Sequence, residues 1–166
     1  MNTWAVFLIT ILLFGLFILF SIIIYMKLCE LEKDIDGYWQ ELIRIIDKRY
    51  DLIQEELGKM KYPEIKKTLE ELLIKGTEKK VDQDFFNTYV EIETVFKKYV
   101  ILLEDKNEKK EDWDKVMREN KERVDQLRYQ YNQRVLKMNR LVEMFPFSII
   151  AKIHAFPKYP YFRNEL

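Results

Sequence analysis

The sequence predicts an all-α protein in which a single N-terminal transmembrane helix continues into a long antiparallel three- or four-helix bundle. Three observations predict it. Residues 1–26 carry no charged side chain, whereas all 28 Lys and Arg and all 28 Asp and Glu lie from Lys27 onward. Glycine and proline number only four each, so a few long helices fit better than many short strands. Apolar residues then recur at helical steps through most of the charged part. The expected organisation is a short tail at 1–3, an anchor at 4–26, a bundle at 27–145 and an aromatic-basic tail at 146–166.

The anchor reads WAVFLITILLFGLFILFSIIIYM from Trp4 to Met26, with only Thr10 and Ser21 clearly polar. A helix crosses the hydrocarbon core with about 20 apolar residues, and its backbone groups pair internally. Trp4 and Tyr25 stand where amphipathic rings favour the interface. No basic side chain precedes the span and IIIYMKLCELE offers no small-residue cleavage site, which favours a retained anchor over a cleaved signal. Lys27, Lys33 and Arg44 follow it. The positive-inside rule then places the bundle in the cytoplasm and the N-terminus outside.

The first helix carries an apolar stripe at Leu31, Ile35, Trp39, Leu42, Ile46, Ile53 and Leu57. Its one step of seven passes Arg49-Tyr50. Nothing between Tyr25 and Leu31 breaks a helix, so the span runs on to a stop near Gly58 and Pro63. A second, shorter helix follows Pro63 with Ile65, Leu69, Leu72 and Leu73 on one face, and ends near Gly76. Asp82 or Asp84 caps a third, which carries Phe85, Phe86, Tyr89, Ile92, Phe96, Tyr99 and Leu103. EDKNEKKED at 104–112 reads as a charged turn. The fourth helix shows Trp113, Val116, Asn120, Val124, Leu127, Tyr131, Val135, Met138, Val142 and Phe145. No stripe can be buried alone, so antiparallel packing buries them together.

Several function classes lose ground here. A net charge of zero speaks against a nucleic-acid binder. A lone Cys29 gives neither a disulfide framework nor a cysteine-based zinc cluster. His154 is the only histidine, and no metal-binding pair or phosphate-binding glycine loop appears. No catalytic residue, metal site, cofactor or small-molecule substrate is expected.

Two asparagines, Asn132 and Asn139, sit seven residues apart in the fourth helix although asparagine favours it little. With Arg128 they form a row beside the main seam. The expected role is a lock of this helix against the first, near Asp36, Glu41 or Asp51, and the alternative is a partner-binding row. The tail that follows is aromatic, apolar and mildly basic. It either caps the bundle or meets lipid headgroups through Phe147, Ile150, Lys152, Phe156 and Lys158.

Two blocks resemble the LemA family of membrane proteins. In IDGYWQELIRIIDKRYDLIQEEL the matching residues are Trp39, Lys48-Arg49 and Asp51-Leu52-Ile53, with Gln54 where the family has a proline. In RYQYNQRVLKMNRLVEMFPFSIIAKIHAFPKYPYF they are Arg128, Tyr131, Asn132, Val135, Asn139, Phe145, Pro146, Ala151, Phe156, Pro160, Tyr161 and Phe162. The resemblance implies a single-pass protein of the bacterial inner membrane with a long antiparallel bundle, and it names no molecular activity. Two readings of function follow. One is a non-enzymatic scaffold or adaptor that binds unidentified protein partners at the membrane surface. The other is a self-associating, membrane-organising protein that acts on the bilayer through its tail.

Overall fold

The computed structural model describes residues 3–104 and 111–163. They form five helices and no strand: α1 (Thr3–Leu57), α2 (Pro63–Lys75), α3 (Gln83–Glu104), α4 (Glu111–Glu143) and α5 (Phe147–Ile153). The protein is all-α, as its periodicity predicts. Most of the charged turn expected at 104–112 lies outside the described residues, as does the side chain of Trp113. α5 was not expected as a separate element.

The breaks follow local chemistry. α1 continues through Met26 because no glycine or proline interrupts Tyr25 to Leu31. Pro63 occupies the start of α2, where its missing N–H costs nothing. Asp82 caps α3, its Oδ1 accepting the Phe85 N–H at 2.9 Å. Gly76 follows α2 directly beneath Tyr50, and a Cβ there would lie 3.0 Å from the Tyr50 ring. Only glycine fits that approach without a shift of the ring.

Two compact units divide the chain: residues 1–35 with 134–159, and residues 36–133 with 160–166. The first unit holds the apolar part of α1, the end of α4 and α5. Its buried side chains are Ile24, Leu28, Leu31 and Ile35 on α1, Val135, Met138 and Val142 on α4, and Ala151 on α5. Their steps of three and four are those of a coiled-coil seam. Asp34 pairs with Arg134 at 3.2 Å at the edge of this seam. Thr10 and Ser21 donate to the Val6 and Phe17 carbonyls at 2.9 Å, so both polar side chains of the apolar segment are satisfied within the helix.

The second unit is an up-down-up-down arrangement. Trp39, Arg49 and Glu56 of α1 meet Phe85, Glu93 and Tyr99 of α3, so these helices run parallel. Glu41, Ile45 and Arg49 meet Arg123, Asn120 and Met117 of α4, so α4 runs antiparallel to α1. Ile53, Leu57, Leu69, Leu73, Ile92, Phe96, Tyr99 and Met117 form its apolar cluster. Met117 takes the buried position where Val116 was expected; Val116 is exposed.

Candidate functional site

In the first unit Asn139 grips the backbone of the C-terminal segment. Its Nδ2 donates to the Tyr159 carbonyl at 2.8 Å, and its Oδ1 accepts the Tyr159 N–H at 2.9 Å. The Tyr159 hydroxyl donates to Glu32 at 3.2 Å, and Lys158 pairs with Glu143. A side-chain amide thus serves both polar groups of one residue, as a strand neighbour would.

Asn132 repeats the device in the second unit. It donates to the Phe162 carbonyl at 2.8 Å and accepts the Phe162 N–H at 2.9 Å. The neighbouring Tyr131 donates to the Pro160 carbonyl at 3.1 Å. Phe162 is fully buried; its ring stacks on Phe86 at 4.4 Å and meets Tyr89 edge-on at 5.4 Å. Arg128 lies over the same ring at 5.8 Å and pairs with Asp125 at 3.2 Å.

The asparagine row is therefore a lock, but not the one expected. Its partner is the backbone of the C-terminal segment, and neither asparagine bonds to Asp36, Glu41 or Asp51.

Trp39 packs edge-on to Phe85 and Phe86, with ring centroids at 5.3 and 5.7 Å, and 6.2 Å from Tyr131. Ten residues on, Arg49 forms the buried ion pair of the second unit. Its Nε and Nη2 bond to the two Glu93 carboxylate oxygens at 2.7 and 3.0 Å. Its Nη1 bonds to the Met117 carbonyl at 2.6 Å, and its plane lies 5.7 Å from the Phe96 centroid. Both side chains are buried. Burial pushes the Tyr50 and Tyr89 phenols well above their usual range, and the Glu93 charge adds to it. Sequence reasoning missed Glu93. A signal existed: Arg49 falls between Ile46 and Ile53 at core spacing, and Glu93 between Tyr89 and Phe96.

Asp51 is exposed and bonds to no motif residue; it lines an open groove of 750 Å³ with Asp47, Tyr50, Gln54, Glu70 and Ile74. Ile74 is exposed at its rim, and the buried Tyr50 hydroxyl has no hydrogen-bond partner among the described residues. Lys79 pairs with Asp47 at 2.6 Å.

The tail divides differently from expectation. Phe147, Ile150 and Phe156 are half-buried, while Lys152 and Lys158 are exposed. Phe145, expected at the end of the α4 seam, is 76 % exposed. It joins Pro146 through a cis peptide bond after α4 has ended. Met144, Ile149 and Ile153 are exposed as well. Tyr25 of α1 packs on His154 at 4.6 Å and on Phe156 at 5.9 Å, so the lone histidine takes part in an aromatic cluster. α5 ends in a paired cap: Phe156 N–H bonds to the Ala151 carbonyl at 2.9 Å and Ala155 N–H to that of Lys152 at 3.3 Å. This Schellman pattern sets Ala155 at φ 53°.

Among the described residues no three His, Cys, Asp or Glu side chains group as metal ligands would. No family model, no curated protein and no solved structure matches the chain.

Proposed function

We propose that this protein is a membrane-anchored, non-enzymatic helical-bundle scaffold or adaptor of the LemA type, which binds protein partners at a membrane surface. The observation that supports it is where the polar side chains are used. Trp39, Arg128, Tyr131, Asn132 and Asn139 all engage groups of their own unit. Their polar groups are used to build an architecture. What remains outward is α1, long and apolar enough to cross a membrane, and the acidic-apolar groove beside Asp51. In this reading residues 4–26 span a bacterial inner membrane, and the cations after Met26 hold the bundle on the cytoplasmic side.

A cross-linked pull-down from native membranes tests the adaptor reading, with Asp51→Arg/Ile74→Glu as the control. Both positions are exposed, so the variant is expected to melt as the wild type does. Partners that wild type captures and the variant loses support an adaptor working through the groove. Recovery of only the chain itself and lipid sinks it. That result supports the second reading, a self-associating membrane-organising protein, which the exposed Phe145, Ile149 and Ile153 favour.

A further inference from the structure

We propose that α5 is a second membrane foothold: its outward residues Ile149 and Ile153, with Phe145 in the turn ahead of it, are embedded among lipid acyl chains at the bilayer surface. The inference rests on the reading of residues 4–26 as a membrane span and adds a site to it.

α5 is apolar on both sides. Phe147, Ile150 and Ala151 face inward and are half-buried or buried, whereas Ile149 and Ile153 are exposed on the opposite side, one turn apart. Ile153 is 69 % exposed, and Phe145, in the turn ahead of α5, is 76 % exposed. A helix with apolar residues on both sides is best covered by an apolar environment on both.

The position of α5 says which environment. Phe147 shares an open hollow of 500 Å³ with Phe20, Ile23 and Met26 of α1. Tyr25 packs on His154 and Phe156 just after α5. α5 therefore lies beside the last turns of the apolar segment, which is itself exposed. From Met26 back to Ile23 and Phe20 is about 4 to 9 Å along the helix. Interfacial helices sit about 5–10 Å into the headgroup–acyl boundary, so the depths agree. The apolar surface of α5 is thereby continuous with a surface that already requires lipid. Lys152, exposed between Ile149 and Ile153, has a stem long enough to carry its ammonium to the headgroups.

The test places an environment-sensitive NBD label at single cysteines in the full chain, in a Cys29→Ser background. The chain is reconstituted into vesicles of phosphatidylcholine and phosphatidylglycerol. Labels go at Phe14→Cys in the middle of the span, Ile149→Cys on α5, and Lys33→Cys on the exposed face beyond the span. Ile153→Cys repeats the α5 measurement. The expected result is blue-shifted emission at 14, 149 and 153, quenched by spin-labelled lipid and protected from aqueous iodide, with the reverse at 33. A label at 149 that behaves like the one at 33, while 14 stays lipid-quenched, overturns the foothold and leaves the span standing. Blue-shifted emission at 149 without lipid quenching overturns it in favour of a second copy of the chain over that face. Loss of lipid quenching at 14 as well overturns the span reading, and the foothold with it.

Discussion

The two units bury apolar surface in contrasting ways. The first has an aliphatic seam, Ile24, Leu28, Leu31 and Ile35 with Val135, Met138 and Val142, and keeps its ion pairs at the edge. The second mixes aromatic rings with a buried Arg49–Glu93 pair. An aliphatic heptad seam is held mainly by area and tolerates a slip in register. A buried, bidentate ion pair tolerates none, because displacement strands a charge in a low-dielectric interior. The second unit thus spends stability on a unique arrangement of its helices. The first leaves apolar surface over, on α5 and on the exposed start of α1.

The contrast is most directly broken at the ion pair. Arg49→Met alone, or Glu93→Leu alone, is expected to cost about 3–5 kcal/mol, since each leaves an unpaired buried charge. The double variant Arg49→Met/Glu93→Leu should recover most of that loss. Denaturant unfolding of the detergent-solubilised chain measures all three, and a double variant as unstable as the singles would mean that the pair holds the unit by more than charge. Next come the asparagines. Asn132→Ala should cost about 1–3 kcal/mol, because it orphans both polar groups of the buried Phe162. Asn139→Ala should cost less, because Tyr159 is only half-buried and water can replace the amide. Equal losses at the two sites would contradict the difference drawn between the units.

Alkali sharpens the comparison. The folded-state phenols of Tyr50 and Tyr89 are raised by burial above the ordinary value of 10.0. A raised phenol binds its proton more tightly in the folded chain, so its contribution is fully present below pH 10 and is lost as pH rises above it. The second unit should lose stability above about pH 10, and Tyr50→Phe/Tyr89→Phe should flatten that loss. Circular dichroism melts at rising pH read it. The smallest effect belongs to the first unit. Ala155 sits at φ 53°, where an L side chain costs about 1–2 kcal/mol, and Ala155→Gly gives back about 0.4–1 kcal/mol through the unfolded chain. The net gain should lie between about 0 and 1.6 kcal/mol, read as a slightly higher melting temperature.

Much of the fold was legible beforehand because helices and spans are local. The apolar run to Met26, the stop at Gly58, the start at Pro63 and the Asp82 cap are each written within a few consecutive residues. α5 escaped because seven residues after a proline carry too little periodicity to separate a helix from a tail. Phe145 was misplaced because its spacing continues the α4 stripe past the point where the helix stops.

The candidate site was legible as residue types and not as pairings. The sequence by itself determined that two asparagines stand on one row of α4 and that a charge interrupts the stripe of α1 at Arg49. Only the tertiary structure decided that the asparagines hold Tyr159 and Phe162, residues 20 and 30 positions away, and that Arg49 meets Glu93, 44 positions away. An amide or a guanidinium bonds to whatever group reaches it within about 3 Å. Periodicity says which side of a helix a residue occupies, whereas packing decides which segment arrives there.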